Sequence, residues 1–513
     1  MSTTTKATKK YIIDEHCTLK SGTLVEDNGC VYSCTLNQTD IGENKNKFYI
    51  MQLIHDNDKY HLFIRYGRIG DVGTKSLKLC GSKNDGMMAF QKQFRTKTNN
   101  TWSSKLNIDN FVKKDGKYFL SQISYEDELK DIDDTTTGSV VGSKLDKKVQ
   151  ELIKMISDIN MMNNTLVQLD IDTKKMPLGK INQTQLDKAK ELLIQMEAII
   201  TKIKNIDPKN TTELATLNDN IVKLSSQYYT YIPNACGRRK PPIINNNEIL
   251  TKYKDTIDDL SNIVVGVNII NNVKKDENPI DAVYKDIGTK IEPLDNSSIL
   301  YKEIDNYIKN THGPTHGCKL KLLDVYTIGQ DGKEQKFNNY SKKIGNKMLL
   351  FHGTPQSCVL SIMKRDFYLD PTKLADAKQL GVQIAGKMFG YGVYFSDCAS
   401  KSANYCRAYQ TNNIGCMFLA EVAMGNICEK LQADSYINKA SLEKAGYQSV
   451  QGMGKWSPSG TTTVNGVQIP NKPIITKNIN TSLRYNEFIV YDINQLVIKY
   501  LVIVQNIGDY SGW

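Results

Sequence analysis

The chain holds 513 residues, more than one hydrophobic core usually organises, so about three domains are expected. A hydrophobic fraction of 40% and a charged fraction of 24% are ordinary for soluble globular protein. No apolar run approaches the roughly 18 residues that span a bilayer, which excludes a membrane-spanning helix, and a net charge of +11 permits a polyanionic partner without requiring one.

The opening residues MSTTTKATKK lack the apolar stretch of a secretion signal and read as part of a flexible tail over 1–20. Eleven cysteines, an odd number with no Cys-x-x-Cys pair, point to reduced thiols in a cytosolic or nuclear compartment. Residues 51–120 carry thirteen Lys and Arg against six Asp, which concentrates the basic character early in the chain. In the same region KFYIMQLI (47–54) and YHLFIRYG (60–67) are aromatic and β-branched runs separated by HDNDK, and this pattern predicts a hairpin. A helix is expected over 85–94, and the acidic, small-residue stretch 126–143 reads as a linker.

From residue 144 the period of the apolar positions lengthens. Leu145, Val149, Leu152, Ile153 and Ile156 make one helical stripe. Three more follow, from Leu186 to Ile203, from Leu214 to Tyr228 and from Ile249 to Val264. Such stripes need one another to be buried, so 144–272 is predicted to be an all-α bundle, punctuated by KMPLGK (175–180) and GRRKPP (237–242). Residues 278–513 hold short strand-like runs between Gly-rich and polar loops, which predicts a mixed α+β domain rather than repeated βαβ units.

Three features of the last segment carry chemistry. His352 ends the apolar run LLFHG, where Gly353 allows close approach of backbone donors. In GKMFGYGVYFSDCASKSANYC (386–406), Tyr394 and Tyr405 bracket a turn with Ser400, Lys401 and Ser402, and two rings with a hydroxyl suit a planar aromatic amide. Glu487 lies in the strand-like SLRYNEFIVYD, and alternation does not settle which face it takes. Two groupings that suggest metal, His312, His316 and Cys318 in THGPTHGC and Cys30 with Cys34 in CVYSC, lack a full ligand set and are read as structural.

LLFHG, GVYFSDCASKSANYC and SLRYNEFIVYDINQLVIKYL closely resemble the catalytic domain of the DNA-dependent poly(ADP-ribose) polymerases, a diphtheria-toxin-like ADP-ribosyltransferase fold. SKLDKKVQELIKMI, KMPLGKI, YTYIPNACGRRKPP and NTHGPTHG resemble the family's helical regulatory domain and the start of its catalytic domain. YHLFIRYGRIG, NTWSSK and KKDGKYF resemble its WGR domain. The resemblance implies a multidomain α+β protein with a WGR DNA-sensing domain at 21–125, a helical regulatory domain at 144–272 and a catalytic domain at 278–513.

It implies that NAD is the substrate and that no metal takes part. His352 matches the histidine that hydrogen-bonds the adenine-side ribose, the Gly353 backbone and Ser402 match the holders of the nicotinamide amide, and Tyr405 and Tyr394 match the tyrosines of that pocket. Glu487 completes the His, Tyr, Glu set that accompanies polymerase activity, and Lys401 lies where the family has a lysine near it. Tyr66, Gly67 and Arg68 match the DNA-contacting WGR motif, with tyrosine in place of tryptophan. The loop between Leu369 and Gly386 is longer than usual, and Lys387 stands where a tyrosine is common. Zinc fingers and a carboxyl-terminal repeat domain are absent from this stretch, as in the short members of the family.

The expected function is a DNA-break-activated poly(ADP-ribose) polymerase acting on protein acceptors and on itself in the nucleus, with room for an accessory specificity factor. The alternatives are a mono-ADP-ribosyltransferase and a DNA-end-binding scaffold without turnover.

Overall fold

The computed structural model describes residues 13–19, 21–107, 110–122, 142–171, 183–234, 236, 239–273, 277–367, 369 and 388–508. The first residues of the predicted tail, nearly all of the predicted linker, the KMPLGK break and the loop containing Lys387 lie outside them. The chain divides into two compact units, one made of residues 1–130 and 162–264, the other of 131–161 and 265–513.

In the first unit the predicted hairpin forms from strands Lys45–Asp56 and Lys59–Arg68, paired in register from Lys47 opposite Arg68 to Asp56 opposite Lys59. Asn57 and Asp58 at its turn have φ of 47° and 59°, the left-handed pair that matches the twist of a tight hairpin. Strand Ser33–Asp40 continues the sheet on one side and Thr74–Cys80 on the other. Helix Lys83–Thr98 starts where the Ser82 hydroxyl accepts from the Asp85 amide, and ends at Asn99 in the left-handed region. It buries Phe90 and Phe94 on the sheet, with Trp102 edge-on to both at 5.0 and 4.9 Å.

The stretch read as a tail is packed where it is described. Asp14 meets Arg65 in an almost fully buried ion pair at 2.7 Å, and Cys17 joins an apolar cluster with Leu24, Val31, Ile54 and Phe63.

Helices Gln183–Asn205, Thr211–Tyr231 and most of Asn247–Asn271 belong to this unit and arise from the predicted stripes. Helix Thr211–Tyr231 lies against strand Ser33–Asp40. The Thr39 amide donates to the Thr230 hydroxyl at 3.2 Å and the Ile41 amide to the Ser226 hydroxyl at 3.0 Å. Helix Lys147–Ile156, whose buried stripe is Val149, Leu152, Ile153 and Ile156, falls in the second unit. There the side-chain amide of Gln356 donates to the Met155 carbonyl at 2.6 Å, capping the end of that helix.

The second unit is built on mixed sheets. Among the described residues one has seven strands, in the order 462–464, 467–469, 347–354, 414–423, 496–507, 319–330 and 289–293. A second has four, in the order 393–395, 487–490, 449–452 and 427–430. Non-sequential neighbours and mainly antiparallel pairing make this the predicted α+β arrangement. The two sheets meet at one bridge, where Phe351 and Ser396 exchange two backbone hydrogen bonds of 2.9 Å. The candidate site forms around that junction.

Candidate active site

Strand Lys347–Thr354 is apolar and buried through Phe351, and then delivers His352 and Gly353 to the junction. The His352 Nδ1 bonds the Tyr394 carbonyl at 2.8 Å. A carbonyl only accepts, so Nδ1 is a protonated nitrogen and the ring orientation is set by the neighbouring strand. Phe367 packs edge-on to the ring at 4.5 Å.

Gly353 is required by crowding. A Cβ built there would stand 1.7 Å from the Ser402 carbonyl oxygen, so helix Ala399–Tyr405 crosses the strand end at backbone contact. This two-turn helix distributes the polar residues singled out in the sequence. Ser402 is buried. The Ser400 hydroxyl accepts from the Gly313 amide and bonds His316 Nδ1, both at 2.7 Å, and Tyr405 is 58% exposed.

Lys401 points to the start of strand Glu487–Val490 in the second sheet. Its ammonium donates to Glu487 Oε1 at 2.9 Å and to the Asn486 carbonyl at 3.0 Å, with the two side chains 14% and 13% exposed. Glu487 therefore faces inward, the alternative that the sequence pattern left open. Its Oε2 is buried without a hydrogen-bond partner among the described residues. The residue opposite Glu487 in the sheet is Gly452, which puts no side chain against it.

Tyr394 stands on strand Val393–Phe395, paired with Ile489 of the Glu487 strand. Its hydroxyl donates to the Gly390 carbonyl at 2.8 Å and accepts from the Phe389 amide at 2.9 Å, which fixes the ring through the backbone before it. Around the sheet junction the structure thus links His352 to Tyr394, Gly353 to Ser402 and Lys401 to Glu487, and Tyr405 ends the helix that carries Lys401 and Ser402.

Tyr485, Asn486 and Asp397, which carried no signal in the sequence, and His316, read there as structural, adjoin these residues. His316 stacks on Tyr485 at 4.7 Å, and the Tyr485 hydroxyl bonds the Thr315 amide and hydroxyl. Burial and the nearby His312, Lys401 and Arg484 push the His316 pKa down to about 4. The loop read as a false metal motif is thus a wall beside Lys401. Asn486 donates to Asp397, and burial raises the Asp397 carboxyl to about 6. Asn486 adjoins Glu487 in sequence, but its link to Asp397 spans 89 positions and left no local signal.

The predicted DNA-contacting residues lie on the hairpin of the first unit. Tyr66 is 44% exposed and stacks on Tyr49 at 5.7 Å and 22°. A Cβ at Gly67 would come within 2.7 Å of Gly73 Cα, so this position needs glycine. Arg68 is tied down: its guanidinium donates to the Asn44 carbonyl and Oδ1, each at 2.9 Å, and to the Arg239 carbonyl at 2.8 Å. Arg68 therefore joins the sheet to the segment after helix Thr211–Tyr231.

Residues 298–506 match the poly(ADP-ribose) polymerase catalytic domain, 143–284 the poly(ADP-ribose) polymerase regulatory domain, and 32–109 the WGR domain. Poly [ADP-ribose] polymerase 2 of Homo sapiens is 33% identical over 516 residues, covering 97% of this chain and 83% of the relative. Poly [ADP-ribose] polymerase 1 of Gallus gallus is 35% identical over 94% of this chain, and the Drosophila melanogaster polymerase 34% over 93%. The chain spans about half the length of those last two relatives, 46% of each. With all three domain types in order and a relative matched along most of its length, this chain belongs to the poly(ADP-ribose) polymerase family.

Proposed function

We propose that this chain is a DNA-break-activated poly(ADP-ribose) polymerase that transfers ADP-ribose from NAD to protein acceptors, itself included, and extends the chain. The observation that carries the proposal is the inward-facing Glu487 carboxylate, one oxygen held by Lys401 and the other buried without a hydrogen-bond partner among the described residues. A buried carboxylate oxygen left open is costly, and a ligand hydroxyl would satisfy it.

The residues present fit NAD. The Gly353 and Ser402 backbones lie at contact distance, so both could reach one flat amide, and Tyr405 offers an exposed ring for stacking. NAD supplies a ribose carbon that becomes electrophilic as nicotinamide departs. Gly353 and Ser402 hold the amide, and His352, oriented by the Tyr394 carbonyl, holds the adenine-side ribose. Glu487 stabilises the positive charge that develops on the sugar, from a position already fixed by Lys401, so little reorganisation is needed during the reaction. The same carboxylate accepts a hydrogen bond from the incoming hydroxyl and draws off its proton, which elongation requires.

Tyr66 and Arg68 would meet DNA ends, with the ring stacking on a terminal base and the cation turned to phosphate. The bonds from Arg68 to Arg239 and from Thr39 to Thr230 support a relay from the sensor sheet to the helical region. A DNA-dependent activity of this kind belongs in the nucleus. Incubation with labelled NAD, with and without nicked DNA, tests the proposal. A DNA-dependent ladder of modified protein is expected; a single discrete band indicates a mono-transferase, and no incorporation a binding scaffold.

A further inference from the structure

Asp397 takes no part in the chemistry described above, yet it is 3% exposed and lies next to the bridge between the sheets. A carboxylate placed there costs free energy unless it is bonded. Its Oδ2 accepts from Asn486 Nδ2 at 2.7 Å, and Asn486 Oδ1 accepts from the Gly454 amide at 2.8 Å. A backbone N–H can only donate, so the oxygen of the Asn486 amide faces Gly454 and its NH2 faces Asp397.

Asn486 stands between strands Leu483–Tyr485 and Glu487–Val490, which belong to different sheets. The first pairs with Gly454–Pro458 and the second with Ser449–Gly452, so the chain changes sheets at Asn486. There is no room to spare at this crossing, since a Cβ at Gly454 would meet the Asn486 nitrogen at 2.4 Å. The Asn486 carbonyl accepts from the same Lys401 ammonium that holds Glu487.

We propose that Asp397 is a positioning residue for the transfer reaction: by anchoring the Asn486 side chain, it fixes the peptide from which Glu487 projects and the carbonyl that helps hold Lys401. Asp397 also follows Ser396, whose backbone bridges Phe351, so it joins the strand end that carries His352 to the one that carries Glu487. This inference rests on the assignment of Glu487 to the reacting ribose.

The test compares the full chain with D397V, D397A and D397N in DNA-stimulated release of nicotinamide from NAD, together with crystal structures of the variants. D397V and D397A leave Asn486 Nδ2 without an acceptor. They are expected to lower kcat by roughly 10- to 100-fold with KM for NAD within about threefold, the split for a misplaced group that acts in the transition state. D397N keeps an acceptor oxygen and is expected to restore kcat to within about threefold of the parent. Equal losses in D397N and D397V, or a kcat for D397V and D397A like that of the parent, overturn the inference.

If the parent releases no nicotinamide, the polymerase proposal fails and the crystal structures decide the positioning claim. A displaced Glu487 and a lengthened Lys401 contact in D397V sustain it, and an unchanged 2.9 Å contact overturns it. Should D397V and D397A not fold, N486A removes the same anchor from the other side: a matching loss of kcat supports the inference, and a parental kcat refutes it.

Discussion

Lys401 Nζ lies 2.9 Å from Glu487 Oε1, while Oε2 of the same carboxylate is buried with no partner among the described residues. One oxygen is fixed and the other is left for a ligand. K401M removes the fixing group and keeps the length of the side chain. It is expected to reduce kcat by roughly 10- to 100-fold with a smaller change in KM for NAD, as for a displaced transition-state group. Steady-state nicotinamide release measures this, and an unchanged kcat would show that Glu487 is oriented without Lys401.

Gly353 predicts a steric failure. In G353A the new methyl would overlap the Ser402 carbonyl oxygen, so the strand end and the helix must separate. Loss of about 1–3 kcal/mol of stability is expected from the overpacking, with loss of NAD binding. Thermal unfolding and titration with a nicotinamide-like ligand check the two effects. Parental affinity in a folded variant would move the amide site away from Gly353.

On the sensor sheet, Y66A removes an exposed ring that rests on Tyr49. Stacking on a base contributes about 1–3 kcal/mol, so the DNA concentration for half-maximal stimulation should rise by roughly 10-fold or more. Activity without DNA should stay the same. A fluorescence titration with nicked duplex, run beside the activity assay, separates binding from relay. Equal DNA affinity in Y66A and the parent would contradict the assignment.

Asp397 and His316 predict opposite trends of stability with pH. Burial raises Asp397 to about 6 in the folded protein, so its protonated form is favoured there. Its contribution is greatest at low pH and is lost as pH rises through about 6, amounting to about 3 kcal/mol. His316 is held down at about 4, so its contribution is full above its unfolded pKa and is lost as pH falls toward 4. Relative to the parent, D397N should gain stability as pH rises from 4 to 7, and H316Q should gain as pH falls over the same range. Denaturant unfolding across that range tests both, and pH-independent differences would remove burial as the cause.

Much of this architecture was legible in local sequence. The alternating runs around HDNDK made the hairpin plain, and the apolar stripes located the long helices. Legibility ended where position depends on contacts between distant segments. Periodicity could not show that helix Lys147–Ile156 belongs with the catalytic sheets, nor that Asp14 is pinned by Arg65. It also could not decide the face of Glu487, because that rests on Lys401, 86 positions away, and on a glycine opposite. Arg68 was legible as a cation of the sensor motif, whereas its bonds to Asn44 and Arg239 come only with the fold.

The central claim is that the Glu487 carboxylate acts at the ribose of NAD and on the incoming hydroxyl. E487Q tests it most directly, because glutamine keeps the size of the side chain and an oxygen for Lys401 but removes the charge. Affinity for a nicotinamide-like ligand is expected to stay within about threefold of the parent, while kcat falls by roughly 10²- to 10³-fold and long polymer disappears from a labelled-NAD gel. Long chains made by E487Q at a rate near that of the parent would contradict the account.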